Sequence, residues 1–407
     1  MSSAERASSA QVGSAAGPEA GDGSAGSPTE GTASSIGLLT LGRFSTNIAY
    51  RMAYPFLAVV AHGLGSSVTT VGLVLSLREG SGVLVPAITR RMERLGYRSA
   101  VLACLAVVGM ACVAAATPGL GIYAFAAGMV FIGVAKASYD SAMGGWIGDR
   151  VPFAARGRVT GLTEVSWALS LLLGMPLLAL AFDAWGIRTG FVLVAGLNVV
   201  VAVAQRRWVP ADHPRPVHQR DRTRLRLDRS TLALFGGLSL MAGAMQLVIV
   251  VHGVWLQDHF GLSTTGLGLS SVVLGLTELV GAGLTVAFTD RMGKRRTMLW
   301  GLVPMAAATA LLGRATPSTG AALGLLGISV VGFETAFISA LPLLSELNPR
   351  ARAATLGRAF LWLTLARGLA TLVATRLYEH AGMTAVGALS AVATVAAACF
   401  WWRVVEP

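Results

Sequence analysis

The sequence predicts an all-α membrane protein, with twelve transmembrane helices in two homologous six-helix bundles. Three observations predict it: apolar runs too long and too numerous for a water-soluble core, arginines confined to alternate loops, and motifs repeated at one interval. The chain of 407 residues is 54% hydrophobic and 13% charged, whereas about a quarter of the residues of a soluble domain are charged. Apolar runs lie near 36–61, 68–89, 100–117, 120–147, 161–182 and 189–205, and again near 231–256, 265–289, 297–315, 319–345, 357–378 and 383–402. At 1.5 Å per residue such runs cross roughly 30 Å of hydrocarbon.

The net charge of +12 raises the question of nucleic acid, but the charge sits between the runs and reads as topology. Arg90, Arg91, Arg94 and Arg98 follow the second span, Arg150, Arg156 and Arg158 the fourth, and Arg291, Lys294, Arg295 and Arg296 the eighth. Arg350, Arg352, Arg358 and the arginine-rich stretch 206–230 lie on the same side, while the opposite loops hold little beyond Arg188, Arg314 and Arg376. Positive charge marks the cytoplasmic side. Both termini and the 206–230 linker are therefore expected in the cytoplasm, in a multi-pass protein of the plasma membrane. The organisation that follows is a disordered cytoplasmic tail at 1–35, a first bundle at 36–205, the basic linker at 206–230 and a second bundle at 231–403. The tail is rich in Ser, Ala and Gly and has the composition of neither a signal nor a transit peptide.

The repeat supports the two halves. Glu93-Arg94-Leu95-Gly96-Tyr97-Arg98 after the second span matches Asp290-Arg291-Met292-Gly293-Lys294-Arg295 after the eighth, 197 positions later. Asp149, Pro152, Arg156 and Gly161 match Glu346, Pro349, Arg352 and Gly357 at 196 to 197 positions. Two independent motifs with one period indicate duplication. Gly96 and Gly293 suit a tight turn at a helix end, because glycine adopts positive φ without steric cost.

On these residues, and on Trp185, Arg188 and Phe191 after the fifth span, residues 36–403 resemble the major facilitator superfamily. The resemblance implies a secondary transporter working by alternating access, and functional as a monomer. It also implies a cytoplasmic gate in which Asp290, and in the first copy Glu93, engages the other half, with Arg291, Gly293, Arg295, Arg94 and Gly96 completing the motif. The first copy is degenerate, with Thr89 where the family usually has Gly. The first, fourth, seventh and tenth helices of the family line its central cavity.

A charge at the bilayer centre costs at least about 2.5–3.5 kcal/mol, so each one needs a partner or water. Arg43, Asn47 and Arg51 recur every four residues and share one face of the first helix. Lys136 and Asp140 form an i, i+4 pair in the fourth. With Gln246 of the seventh helix, Arg43, Asn47, Arg51 and Lys136 are the substrate-cavity candidates. Glu334 stands near the middle of the tenth helix with no base along its own helix. Desolvation disfavours its ionised form, which suits a group that takes up and releases protons. Glu334, Asp140 and Glu278 are the proton-coupling candidates. Glu278 and Glu79 sit near the repeat interval, which favours a structural role for both with Arg78 or Arg367 as partners.

The expected function is proton-coupled efflux of a drug-like or amphipathic compound, an antiport that uses a proton gradient and no cofactor. Gly174-Met175-Pro176 resembles the antiporter signature of the family, but Leu177 and Leu178 replace further glycines, and Tyr123-Ala124-Phe125 stands where an arginine is usual. These departures leave proton-symport uptake of a polar or anionic metabolite as the alternative, and a non-transporting receptor or sensor as the alternative of another class. No nucleophile elbow, phosphate loop or metal-ligand spacing points to an enzyme or a metal site. Cys104, Cys112 and Cys399 lie inside apolar runs and imply no disulfide framework. The partners expected are a small molecule, protons and lipid, without nucleic acid.

Overall fold

The computed structural model describes residues 30–211, 229–346 and 352–402. Among them every regular element is helical, as lipid requires of a chain that must satisfy its own backbone polar groups. The first span is Glu30–Arg51 with a continuation Leu57–Gly63, and the second runs Val68–Gly80, Ser81–Leu84 and Val85–Met92. The third is Tyr97–Ala116, the fourth Gly121–Arg150, and the fifth Phe153–Leu169 and Met175–Trp185 joined by a π-helical turn, Ser170–Gly174. The sixth is Ile187–Trp208, the seventh Arg229–Phe260, the eighth Thr264–Met292, the ninth Lys294–Leu311 and the tenth Thr319–Glu346. The eleventh and twelfth form the stretch Arg352–Trp402, broken at Gly382 with φ 67° and ψ −174°.

Among the described residues nine helical stretches are long and apolar enough to cross a membrane. One of them, Thr355–Trp402, has 48 residues, about 72 Å of helix, and the break at Gly382 makes it two spans. The ninth helix falls short because its 18 residues open on Lys294, Arg295 and Arg296. The first falls short because Arg43 and Arg51 interrupt it. Leu177, Val200, Val286 and Val392 are each more than 60% exposed, as side chains facing lipid are. The first helix already begins at Glu30, inside the stretch assigned to the tail. Residues 1–29 and most of the linker, 212–228, lie outside the described residues.

The duplication is written into the backbone. Gly96 (φ 82°, ψ 154°) opens the third helix and Gly293 (φ 83°, ψ 152°) the ninth. Within each half the third helix packs on the fourth and sixth, as the ninth does on the tenth and twelfth. Between the halves, the second helix packs on the eleventh and the fifth on the eighth. These seams close the face opposite the linker, called here the far face. There Gly253 of the seventh helix meets the backbone of Pro55 so closely that a Cβ would stand 2.1 Å from its carbonyl oxygen. Towards the linker face, by contrast, the fourth and tenth helices form no extensive contact among the described residues, and the Glu164 side chain is 57% exposed. The protein is closed at the far face and open at the linker face.

Candidate functional site

The polar stripe of the first helix docks on the fifth. Arg43 Nη2 donates to Glu164 Oε2 at 2.9 Å, Asn47 Nδ2 to Ser166 Oγ at 3.4 Å, and Arg51 Nη1 to the Trp167 carbonyl at 3.1 Å. Arg43 Nε also donates to Asp140 Oδ1 at 3.0 Å, and Lys136 Nζ to Asp140 Oδ2 at 2.6 Å. The Lys136–Asp140 pair is thus half of a neutral quartet of two cations and two carboxylates at the open side of the first bundle. Trp167 carries two cations over its ring, with the Arg51 guanidinium and Lys136 Nζ both 4.5 Å from its centre.

Two ion pairs tie the halves together at mid-depth. Arg51 holds Glu278 of the eighth helix with two bonds, 2.5 Å and 3.1 Å long. Glu79 of the second helix accepts from Tyr50 Oη at 2.6 Å, Tyr54 Oη at 2.7 Å, Arg78 Nη2 at 2.8 Å and, across the seam, Arg367 Nε at 3.0 Å. Gln246, placed by sequence on the cavity wall, is buried in this network, where its Nε2 donates to Tyr54 Oη at 3.2 Å and Thr371 Oγ1 at 2.9 Å. Sequence symmetry offered Arg78 or Arg367 to both acids. Both arginines serve Glu79, and Glu278 takes Arg51 instead, because its side chain meets the guanidinium of the first helix directly across the seam.

Glu334 sits differently. Among the described residues it makes no ion pair or hydrogen bond and is half-buried. Its Cβ packs against Gly281, where an added Cβ would stand 2.7 Å away. Gly281 lies one turn beyond Glu278 on the same helix face, and Thr335 Oγ1 donates to the Gly281 carbonyl at 3.3 Å. Glu334, with its carboxyl unpaired among the described residues, therefore packs within a helical turn of the acid that Arg51 holds. The charged groups within electrostatic reach of Glu334 include Glu278, Arg51, Glu164 and Arg367, contributed by the eighth, first, fifth and eleventh helices. On the same helix Phe333 and Phe337 form a stacked pair, 5.6 Å between ring centres.

In the gate motif, Asp290 is exposed and makes no ion pair among the described residues. Its neighbours are engaged within their own half, Lys294 with Glu346 and Arg295 with the Trp402 carbonyl. Arg98 donates in the same way to the Arg206 carbonyl in the first half. Arg94 and Arg291 are exposed, and the Glu93 side chain lies outside the described residues. Among the described residues no group of three or more His, Cys, Asp or Glu side chains could hold a metal. Sequence reasoning did not single out Tyr50, Tyr54 and Trp167. Tyr50 lies in the last turn of the helix beside Arg51 and Tyr54 in the turn that follows it, and the only signal in the sequence was the closeness of these aromatic residues to Arg51.

A sequence profile of the Major Facilitator Superfamily matches residues 39–252 and 232–407. The chain belongs to this superfamily. It is 25% identical over 375 residues to an uncharacterised MFS-type transporter, YwfA of Bacillus subtilis, covering 88% of each chain. Among solved structures it resembles a bacterial homologue of the human lysosomal transporter Spinster in an inward-facing, unoccupied conformation. The TM-score is 0.71 at 15% identity, over 93% of this chain and 98% of that one. It also resembles the nucleoside transporter NupG, with a TM-score of 0.72 at 16% identity over 91% of this chain and 98% of that one. At these identities the two structures speak for the fold alone. This superfamily transporter is a multi-pass membrane protein, and the family supports secondary transport rather than enzymatic turnover.

Proposed function

We propose that the chain exports an amphipathic organic molecule across the plasma membrane in exchange for protons, with Glu334 as the proton carrier. The observation that carries this reading is the unpaired Glu334 carboxyl a helical turn from Arg51–Glu278, an ion pair that joins the two halves. With Glu334 protonated, Arg51 stays on Glu278 and the linker-open state persists. With Glu334 ionised, a second carboxylate competes for Arg51, the bridge across the seam weakens, and the far face is released. A proton taken up from outside then favours the inward-open state, and its loss inside, as cargo binds, favours the return. His252 of the seventh helix, whose Nδ1 bonds the Ile249 carbonyl at 2.6 Å, lies within electrostatic reach of Arg51. The Trp167 ring and the Phe333–Phe337 stack beside these charges support cargo with an apolar body.

The test is flux into everted membrane vesicles supplied with a panel of fluorescent amphipathic cations and neutral compounds. An acid-inside gradient is expected to drive accumulation of at least one compound, and a protonophore to collapse it. Accumulation driven only in right-side-out vesicles, by protons entering with the compound, would replace export with symport uptake.

Orientation has its own expected result. The linker face is the cytoplasmic face, so a cysteine at Gly119 is labelled from outside intact cells by an impermeant reagent while one at Ala211 is not. The opposite pattern inverts the topology.

The gate motif gives a further expectation. In the linker-closed state the Asp290 carboxylate engages the first half, an interaction of the size of a hydrogen bond to a charged group, about 1.5–3 kcal/mol. Asp290→Asn is therefore expected to lower transport about tenfold or more at unchanged membrane levels, and more than Glu93→Gln does. Wild-type activity of Asp290→Asn at matched levels would reduce the motif to a determinant of topology.

A further inference from the structure

At the far face two contacts between the halves repeat each other. The second helix begins at Val68 after Ser67, whose hydroxyl caps the Thr70 amide at 3.1 Å. The eighth begins at Thr264 after Ser263, whose hydroxyl caps the Gly266 amide at 3.1 Å, 196 positions later. In each helix the amide one residue earlier is left for another partner, and in each that partner is a carboxylate of the opposite half. Glu379, at the end of the eleventh helix, accepts from the Thr69 amide at 3.1 Å. Asp183, at the end of the fifth, accepts from the Thr265 amide at 3.1 Å and also from its hydroxyl. Donors and acceptors are again 196 positions apart, so the pair obeys the internal symmetry although it joins one half to the other. A carboxylate on a helix N-terminus satisfies an orphan donor and meets the positive end of the helix dipole.

We propose that Asp183 and Glu379 are two matched latches that hold the far face shut, and that both must open for the outward-facing state to form. Each carboxylate belongs to one half and each helix N-terminus to the other, so no rocking motion that parts the far ends can preserve either bond. Asp183 is the stronger latch, because it holds the Thr265 hydroxyl as well as the amide. The proposal rests on alternating access and is independent of which residue carries the proton.

The test needs no substrate and no pH gradient. Spin labels at His62→Cys and His259→Cys, in a Cys399→Ser background reconstituted in lipid, report the far-face separation. Asp183→Ala and Glu379→Ala are expected to raise the open-to-closed ratio about fivefold, the equivalent of about 1 kcal/mol for one helix cap, with Asp183→Ala the larger of the two. The double variant is expected to raise it roughly twenty-fivefold, since independent sites add. Asp183→Asn and Glu379→Gln keep an oxygen that accepts from the amide and should stay close to wild type. A double alanine variant with the wild-type distance distribution overturns the proposal. Hydrogen exchange on the unmutated protein checks it without any substitution. The Thr69 and Thr265 amides should be protected and should share one protection factor, because one opening exposes both. Exchange of either at the rate of a free amide contradicts the latch.

Discussion

Glu79→Gln is expected to cost the protein about 3–5 kcal/mol, the price of removing one partner from a buried ion pair. Glu79 accepts four bonds from two tyrosines and two arginines, and Arg78 is 1% exposed. The glutamine keeps the shape but leaves two guanidinium groups at mid-depth without a counter-charge, in a medium where an isolated cation is unfavourable by several kcal/mol. At about 2 °C per kcal/mol for a chain of this size, the melting temperature in detergent should fall by roughly 6–10 °C. Adding Arg367→Gln restores the original charge balance and should recover much of the loss. A Glu79→Gln protein that melts with wild type would mean that the network is solvated and carries no structural weight.

Sequence made the frame legible because lipid imposes simple demands. Apolar length, arginine placement and the 197-position repeat suffice to place twelve helices and the turns at Gly96 and Gly293. The buried charges were also legible one by one, since Arg43, Asp140, Glu278 and Glu334 stand out in apolar runs. Their pairing across the halves was not. Arg51 and Glu278 are separated by 227 positions, and nothing along either helix says that they meet. The choice between Arg51 and Arg367 as partner of Glu278 depends on how two bundles dock, which helical periodicity within one bundle does not encode. The far-face latches were hidden for another reason. Asp183 and Glu379 differ in residue type and lie at helix ends, where a carboxylate is unremarkable until the helix N-terminus opposite it is known. The gate motif was legible as a motif, while its engagement depends on conformation, and Asp290 is exposed in the linker-open state.

Glu334→Gln is expected to abolish gradient-driven transport while leaving cargo binding from the linker face intact. The glutamine preserves size and hydrogen bonding and removes only the ability to ionise. It mimics the protonated carboxyl, so Arg51 stays with Glu278 and the linker-open state is favoured at every pH. Glu278→Gln should behave oppositely, since Arg51 then has no counter-charge on the eighth helix and the seam is weakened whatever the state of Glu334. Asp140→Asn disturbs a quartet confined to the first half, so it should change cargo affinity more than coupling.

One substrate-free measurement tests the role of Glu334 most directly, the linker-face separation as a function of pH. Labels at Gly157→Cys, where an added Cβ meets nothing within 4 Å, and at Val286→Cys, 79% exposed, report it in reconstituted protein. Between about pH 5 and pH 9, a range wide enough to titrate a buried carboxyl, the wild-type population should move from linker-open at low pH towards linker-closed at high pH. The Glu334→Gln protein should stay linker-open throughout. A Glu334→Gln protein that closes with the same pH dependence as wild type would contradict the assignment of the coupling proton to Glu334.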